Sequence, residues 1–517
     1  MFATHSDLRY TFSMPTRKMW YIIAGFIFLI IFPYILGILL HSPDLVFMGF
    51  LQNPGDGYSY LAKMRQAFDG QWLFTLPFTA EPGSGRLLFI YYYILGYLAK
   101  AFALPLIVVY HSARVINGFL FAVVSAIAIT RIFKNDDSHR EWMLFVLLLG
   151  SGAGWLIIGA QPPPSDLWVA EAYPFLAAYT NPHFPLALAI LVATIAIWLA
   201  DQFRWKYLWL AFGGFFLSWL LPFGAVILLI IFAIDTVKNA VQERKLNLNA
   251  YLIYSLAALP YLLYSLWAIQ SQPQLMIWNR QNVTSSAPFW QLIISFSPAL
   301  IFAAFSFFSL ETYQRQEMRI SLLWVWVALV ICILPISLQR RFLVGLYIPL
   351  TLLAVYTITK IRNIRIKRYA QIGYLILSLP TNIIILVLAL YGISTQSSDL
   401  YQSRSKLEAI QWLDQNTNST DVVFASVKDG SILPGLAGVR VLYGHPYETP
   451  DADDMKALVS NCMQNIDTDL CKNFLLQNKV KYIFLSEPGI INNEGSTTFP
   501  GEILYQNEQA RVYAYKP

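Results

Sequence analysis

The chain has 517 residues, of which 56% are hydrophobic and 13% are charged, and its net charge is +6. Soluble globular proteins of this size do not have such a composition, so the sequence excludes that class and indicates a protein that crosses a membrane several times. Its three cysteines do not have the spacing of a metal site.

Eleven apolar segments are predicted to be transmembrane helices, because a helix needs about 20 apolar residues to cross a bilayer. The first segment follows Arg17 and Lys18 and is too long for a signal peptide, so we expect it to be retained with the N-terminus in the cytoplasm. The predicted segments are 19–41, 107–131, 142–160, 184–200, 207–221, 222–238, 251–269, 291–311, 321–338, 342–359 and 370–394.

The apolar stretch 87–103 decides on which side every later loop lies. If it lies in the membrane interface, 18 Lys and Arg residues fall on the inner side and 7 on the outer side, which is the asymmetry that the positive-inside rule describes. The tyrosines of this stretch are also typical of an interface. We therefore predict a first outer loop over 42–106 that contains interfacial helices, and a C-terminus on the extracytoplasmic side.

The composition changes at about residue 397 to that of a soluble α/β domain, so we predict a transmembrane domain over 1–396 and an extracytoplasmic domain over 397–517. Strands are predicted to begin at Asp421, Val439, Val480 and Arg511, and amphipathic helices to span 403–415, 452–464 and 469–478. Cys462 and Cys471 both fall in this domain. A disulfide between them would suit an oxidising exterior, and two buried thiols are the alternative.

The stretch 54–70 predicts a short amphipathic helix in the first outer loop. Leu61 and Met64 lie on its apolar face, whereas Lys63 lies off it. Such a helix should lie flat in the membrane interface, with Asp56 at its start just above the headgroups. Taken alone, Asp56 has two interpretations, a catalytic base or a helix N-cap.

Polar residues suited to chemistry are concentrated in three places: the first outer loop, the loop 161–183, and the mouth of the predicted helix 342–359. A carboxylate can take the proton from an attacking hydroxyl group, and arginine side chains match phosphate oxygens. This combination predicts group transfer from a phosphate-linked donor, and a lipid tail on the donor would explain a site at the bilayer surface. The candidate residues are Asp56, Tyr58, Tyr60, Glu81, Arg86, Asp166, Glu171, His183 and the arginine pair, Arg340 and Arg341.

Other interpretations remain open. Glu171 and Asp166 can be solvated loop charges, and the arginine pair can contact lipid headgroups without specificity. A transporter would place ionisable residues inside its spans, and these spans carry few apart from Asp235 and Arg114, which could snorkel to the surface. A non-catalytic lipid-binding or scaffold protein would use the same basic and aromatic residues without needing Asp56.

Short motifs are distributed along the whole chain. They are Asp56-Gly-Tyr-Ser-Tyr, Tyr91-Tyr-Tyr-Ile-Leu-Gly, His111-Ser-Ala-Arg-Val-Ile-Asn, Asn181-Pro-His-Phe, Gln339-Arg-Arg-Phe and Gly444-His-Pro-Tyr-Glu-Thr-Pro. With these motifs the chain resembles the GT-C superfamily of membrane glycosyltransferases, which use polyprenyl-phosphate-linked sugars and include protein O-mannosyltransferases and the aminoarabinose transferase of lipid A. The resemblance implies a polytopic α-helical membrane protein, here with about 11 transmembrane helices, and a small extracytoplasmic α/β domain.

In this family the aspartate of the first-loop motif is the catalytic residue, which implies that role for Asp56. A second acidic residue often comes from the next outer loop, and here Glu171 or Asp166 corresponds to it. A basic residue at a later helix mouth holds the lipid phosphate, which corresponds to the arginine pair. Many members have two adjacent acids in the first-loop motif, whereas Gly57 takes the second position here.

The predicted activity is the transfer of a sugar from a polyprenyl-phosphate-linked donor to a lipid, glycan or protein acceptor at the outer face of a bacterial plasma membrane. Nothing indicates a nucleic acid partner. Asp56 would be the general base, and the exterior domain would shape the acceptor site, with His445 and Glu448 as candidates. No cofactor is certain; a divalent cation (Mg or Mn) would have Asp56, Asp166, Glu171 or His183 as ligands.

Overall fold

The computed structural model describes residues 14–133, 136–200, 203–243, 246, 248–486 and 501–515. Four of the basic residues in the charge asymmetry lie outside these ranges, namely Arg9, Lys134, Arg244 and Lys245. The described chain is mostly helical up to residue 396, and a small sheet with its own helices follows.

The first part contains one short strand and nineteen helices among its described residues, joined by 3-10 turns at Gly154–Ile157, Ala170–Ala172 and Gln339–Leu343. In chain order the elements are α1 (Arg17–Leu39), β1 (Leu45–Phe47), α2 (Pro54–Phe68), α3 (Ile90–Ala101), α4 (Leu106–Ile132), α5 (Asp137–Leu149), α6 (Ser165–Trp168), α7 (Pro174–Thr180), α8 (His183–Trp198), α9 (Lys206–Leu220), α10 (Pro222–Glu243), α11 (Asn249–Gln270), α12 (Pro273–Gln281), α13 (Phe289–Phe296), α14 (Ala299–Ser306), α15 (Leu310–Gln314), α16 (Gln316–Ile333), α17 (Tyr347–Thr359), α18 (Ile364–Ser378) and α19 (Pro380–Ser394).

Helices lie in all eleven segments predicted to span the membrane. Within the described ranges, seven spans are long and apolar enough to cross it, and the bent pair α13–α14 adds an eighth if it forms one span. The other three predicted spans correspond to α8, α9 and α17, which have only 16, 15 and 13 residues. These helices are shorter than the roughly 20 residues that a transmembrane helix usually needs. The stretch 87–103 forms the 12-residue helix α3, which is about 18 Å long and too short to cross.

Two predicted spans are interrupted. Helix α5 ends at Leu149 and the next four residues are not helical, although 142–160 is predicted as one helix. A Cβ atom at Gly152 would lie 1.6 Å from the Ser295 carbonyl oxygen, so the chain here packs against the backbone of α13 instead of continuing as a helix. Helices α13 and α14 meet at 93° around Pro298, which has no backbone N–H to continue a helix.

The C-terminal part contains a five-stranded sheet with its own helices. In chain order its elements are β2 (Tyr401–Ser403), α20 (Arg404–Asn416), β3 (Val422–Phe424), α21 (Val427–Ala437), β4 (Arg440–Val441), α22 (Ala452–Gln464), α23 (Asp469–Gln477), β5 (Val480–Leu485), β6 (Glu502–Gln506) and β7 (Arg511–Ala514). The strand order in the sheet is β4-β3-β5-β7-β6. Strand β3 runs parallel to β4 and β5, whereas β7 runs antiparallel to β5 and β6.

All helices and strands predicted for this part are present. The sequence does not predict α21, whose glycines and proline are typical of a turn, or β6, a largely exposed edge strand without an alternating pattern. Cys462 and Cys471 form a disulfide that joins α22 to α23. Strand β2 pairs antiparallel with β1, so backbone hydrogen bonds join the C-terminal part to the first outer loop.

Helix α2 is enclosed between α3 and α21. Glycines allow both contacts: a Cβ atom at Gly96 of α3 would lie 2.1 Å from the Met64 carbonyl oxygen, and one at Gly435 of α21 would lie 3.1 Å from Leu61 Cβ. Lys63, predicted to lie off the buried face, is fully buried. The local pattern of α2 does not reveal this burial, because Lys63 is buried against Glu448, 385 residues further along the chain.

Ionisable residues inside the spans have structural partners. Arg114 is buried and donates hydrogen bonds to the carbonyl oxygens of Ile30 and Ala178, so it does not snorkel to the surface. Asp235 accepts a hydrogen bond from Arg319 at 2.8 Å. These groups are satisfied by pairing within the protein, which gives the transporter interpretation no support.

Candidate active site

Asp56 is the third residue of α2 and not its N-cap. The N-cap is Asn53, whose backbone φ is 51° and whose side-chain amide donates a hydrogen bond to Oδ2 of Asp56. A carboxylate in the first turn is favoured by the helix dipole. The Asp56 side chain is 36% exposed, so the carboxylate is accessible as well as oriented.

His445, from the C-terminal part, reaches the same carboxylate, with its Nε2 3.1 Å from Oδ1 of Asp56. Burial by itself would raise the pKa of Asp56, but the hydrogen bond with His445 and the positive charges of Arg341 and Lys63 outweigh burial and hold that pKa below its usual value. Asp56 is therefore ionised at neutral pH, as a general base must be.

A buried ion pair lies about two helical turns further along α2. Lys63 donates to both carboxylate oxygens of Glu448, at 2.7 and 3.0 Å, and the hydroxyl of Ser59 donates to Glu448 at 2.6 Å. Burial would raise the pKa of Glu448, but the charge of Lys63 brings it below its usual value. This pair fixes the C-terminal part to α2 close to Asp56.

Arg341 and Glu171 form an ion pair between the 3-10 turns Gln339–Leu343 and Ala170–Ala172, with Nη1 and Oε1 3.5 Å apart. The Glu171 side chain is buried, whereas that of Arg341 is 33% exposed, so the guanidinium is accessible to a ligand. The backbone N–H of Gly345 donates to the Glu171 carbonyl oxygen at 2.8 Å, which holds the two loops together. The guanidinium of Arg340 lies over the Trp168 ring, 4.1 Å from its centroid.

Tyr60 lies at the centre of these charged groups, and burial raises the pKa of its hydroxyl well above the usual value. Its ring stacks on that of Tyr92 with 4.3 Å between centroids, and the Tyr92 hydroxyl lies 2.7 Å from Nδ1 of His183. The three rings form an aromatic wall beside the carboxylate. The charged side chains close enough to influence the Tyr60 hydroxyl are Asp56, Arg341, Glu448 and Glu171.

Three predicted site residues have their contacts elsewhere. Tyr58 packs its buried ring against Phe50, with 5.2 Å between centroids. Arg86 donates to the Ser271 hydroxyl at 2.9 Å and so joins the first outer loop to the end of α11. Glu81 is exposed in the loop between α2 and α3. The structure gives these residues structural or surface positions and does not bring them to Asp56.

Asp166 is buried and held by other partners. Its carboxylate accepts hydrogen bonds from the Thr381 hydroxyl at 2.8 Å and the Gly154 N–H at 3.0 Å, and burial raises its pKa to about 6. It is therefore not a solvated loop charge. Throughout the described ranges, no three His, Cys, Asp or Glu side chains are grouped as metal ligands.

Sequence reasoning missed Asn53, Lys63 and Tyr92. Lys63 follows Asp56 by seven residues, which puts both on one face of a helix, and that spacing is the signal that was available for it. Tyr92 belongs to a tyrosine run that the sequence assigns only to the interface. The contact between Lys63 and Glu448 joins residues 385 positions apart, and local sequence carries no signal for it.

Solved structures with a similar fold are known for this chain. No protein-family model matches the chain, and neither does any curated protein. Among solved structures, ArnT from Cupriavidus metallidurans bound to undecaprenyl phosphate has a TM-score of 0.53 and 13% identity, over 97% of this chain and 100% of that chain. The Archaeoglobus fulgidus oligosaccharyltransferase, tethered to an acceptor peptide containing the NVT sequon, has a TM-score of 0.54 and 11% identity, over 90% of this chain and 69% of that chain.

Both structures are GT-C glycosyltransferases, and the chain therefore has the fold of this class of membrane enzyme. The fold predicted from the sequence motifs is confirmed. Together with the candidate spans, the likeness identifies an integral, multi-pass membrane protein. At identities of 11 to 13% the likeness extends to the fold alone, so the roles of individual residues are argued from the geometry of this chain.

Proposed function

We propose that the protein is a membrane glycosyltransferase that moves a sugar from a polyprenyl-phosphate-linked donor to a lipid, glycan or protein acceptor. The observation that carries this proposal is the accessible, ionised carboxylate of Asp56 within the electrostatic reach of Arg341. A base for the acceptor and a cation for the donor phosphate are the two groups that such a transfer requires. ArnT, a structural neighbour, holds undecaprenyl phosphate, which supports a lipid-phosphate donor.

In the proposed step, the hydroxyl oxygen of the acceptor attacks the anomeric carbon of the sugar while Asp56 takes the hydroxyl proton. The bond between the anomeric carbon and the phosphate oxygen breaks, and its electron pair leaves with the lipid phosphate. Arg341 neutralises the charge that develops on this leaving group. The products are the glycosylated acceptor, the lipid phosphate and a proton on Asp56, which passes to solvent.

The neighbouring residues have supporting roles. Glu171 is the counter-ion of Arg341 and orients its guanidinium, so it does not need to act as a second catalytic carboxylate. Arg340, held over Trp168, adds positive charge at the mouth of the site. The aromatic wall of Tyr60, Tyr92 and His183 would pack against the sugar ring and exclude water from the anomeric carbon.

The reaction is proposed to take place on the extracytoplasmic side. The asymmetry of Lys and Arg along the chain supports this orientation. The disulfide between Cys462 and Cys471 also supports it, since disulfides persist in oxidising compartments.

A comparison of cells with and without the gene tests the proposal. Mass spectrometry of surface glycans, glycolipids and polyprenyl phosphates should show that one sugar is lost from its acceptor and that its polyprenyl-phosphate precursor accumulates. Cells that carry the Asp56→Asn allele should match the deletion. Unchanged profiles in all three fractions, in cells shown to make the wild-type protein, would contradict the proposal.

A further inference from the structure

The loop 444–449 brings two side chains of the C-terminal part to the first turns of α2. His445 contacts Asp56, and Glu448 contacts Lys63 and Ser59. In sequence, His445 and Asp56 are 389 residues apart. The site is therefore not complete within the membrane part of the chain.

Hydrogen bonds hold this loop in one conformation. The Thr449 hydroxyl accepts hydrogen bonds from the backbone N–H groups of Gly444 and His445, both at 3.2 Å, and Thr449 N–H donates to the His445 carbonyl oxygen at 3.0 Å. Gln281 of α12 donates to the Thr449 carbonyl oxygen. A Cβ atom at Gly444 would lie 2.2 Å from Cδ1 of Phe78, so the loop is also packed tightly at its start.

The hydrogen bonds of His445 define its tautomer. The backbone N–H of Tyr447 points to Nδ1 of His445 at 3.2 Å, and an N–H group can only donate, so Nδ1 is the acceptor. The ring proton is therefore on Nε2, which donates it to Oδ1 of Asp56. His445 is 5% exposed, so its side chain is largely shielded from solvent.

We propose that His445 is a positioning residue, which the C-terminal part supplies and anchors through Glu448, and which orients Asp56 and stabilises its ionised form. This inference rests on the proposed function, because the role matters only if Asp56 is the base. His445 leaves the remaining lone pairs of the carboxylate available to the acceptor, since each carboxylate oxygen can accept two hydrogen bonds. The groups that face Asp56 from the surrounding elements are Asn53, Tyr60, Lys63, Tyr92, Tyr110, His183, Arg340, Arg341 and His445.

Carbodiimide labelling tests the inference without any substrate, because the reagent modifies carboxyl groups only when they are protonated. Peptide mass spectrometry of the full-length protein measures the fraction of Asp56 labelled at each pH. His445→Phe removes the hydrogen-bond donor. In this variant the pH at which half of Asp56 is labelled should rise by about one to two units, which is the shift that loss of a hydrogen bond to a charged group produces. His445→Gln keeps an N–H near the position of Nε2 and should lie closer to the wild type.

His41→Gln is the matched control, because His41 is an exposed histidine near the end of α1. In this variant the midpoint of Asp56 labelling should equal that of the wild type. An unchanged midpoint in His445→Phe, in protein with the thermal unfolding temperature of the wild type, would overturn the inference. Transfer activity separates the two proposals. If Asp56→Asn is inactive and His445→Phe keeps the wild-type midpoint, the positioning role is wrong and the proposed function stands. If Asp56→Asn is active in sugar transfer, Asp56 is not the base and the proposed function is contradicted, whether or not His445 contacts Asp56.

Discussion

Each carboxylate oxygen of Asp56 has one protein partner. Asn53 donates to Oδ2 and His445 donates to Oδ1, which leaves further lone pairs for a substrate hydroxyl. Sequence reasoning finds Asp56 through its motif and names His445 as a candidate near the acceptor. It cannot show that the two side chains meet, because the contact depends on how the C-terminal part folds back onto α2.

Arg341 is the residue whose charge should matter most for the lipid phosphate. Arg341→Ala should lower kcat/KM for the polyprenyl donor by about 10- to 100-fold, since a hydrogen bond to a charged group contributes about 1.5–3 kcal/mol. Arg341→Lys keeps the charge but not the planar fork and should recover part of the rate. Arg280→Ala removes an exposed arginine of α12 and serves as control. Equal rates for Arg341→Ala and the control would contradict the phosphate role.

The pair of Lys63 and Glu448 offers a test of stability. Lys63→Met leaves a carboxylate buried without its cation and should cost about 3–5 kcal/mol, which a lowered thermal unfolding temperature in detergent would report. The folded protein lowers the pKa of Glu448. The ion pair therefore stabilises the fold fully at pH values above the pKa that Glu448 has in the unfolded chain. This stabilisation is lost as the pH falls through the lower pKa that Glu448 has in the folded protein.

A surface ion pair provides the matched comparison for this change. Lys481 pairs with Asp421 at 3.0 Å, and its side chain is 54% exposed. Lys481→Met should therefore cost at most about 1 kcal/mol. Similar losses of stability in the two variants would show that Lys63 is not buried against Glu448 as the structure has it.

At the scale of the element, α2 shows what local pattern can and cannot predict. Its bounds follow from Pro54 at the first turn and Gly70 just past the end, and the sequence predicts both. Its packing cannot be predicted in the same way, because helix α21, which contacts Leu61 of α2, begins 359 residues after Phe68 of α2 in a segment rich in turn residues. A buried lysine such as Lys63 therefore has the local pattern of a surface residue.

Gly57 follows Asp56 in α2 and packs against Phe50. A Cβ atom at Gly57 would lie 2.4 Å from Cδ1 of Phe50, so no larger side chain fits without displacing that ring. Gly57→Ala should destabilise the protein by about 1–3 kcal/mol through overpacking, as measured by thermal unfolding.

A helical glycine with open surroundings is the control for this substitution. A Cβ atom built on Gly373 of α18 would lie in open space, so Gly373→Ala should stabilise the protein by up to about 1 kcal/mol, the ordinary gain in helix propensity. Stabilisation of similar size by Gly57→Ala would show that Phe50 does not close the space beside α2.

At the scale of the whole molecule, composition and hydropathy predict the division into an apolar helical part and an α/β part. Within the described ranges seven spans, or eight with the bent pair α13–α14, meet the length and hydropathy criteria, and the segments of α8, α9 and α17 form shorter helices. The site is less predictable than the fold. Its members come from α2, two outer loops and the loop 444–449, and tertiary packing alone brings them together.

The orientation of the molecule has a direct test. Gln509 lies in the exposed turn between β6 and β7, and the described cysteines are either buried or disulfide-bonded. A Gln509→Cys variant should therefore react with an impermeant maleimide on intact cells. The wild type is the background control, and reaction of the variant only after lysis would place the C-terminal part in the cytoplasm.

The most direct test of the proposed function is sugar transfer by purified wild-type protein and by Asp56→Asn with a radiolabelled polyprenyl-phosphate sugar. Asp56→Asn should bind the donor but transfer its sugar about 100- to 10,000-fold more slowly, because a general base usually contributes that much to the rate. Transfer by Asp56→Asn at a rate near that of the wild type would contradict the assignment of Asp56 as the base.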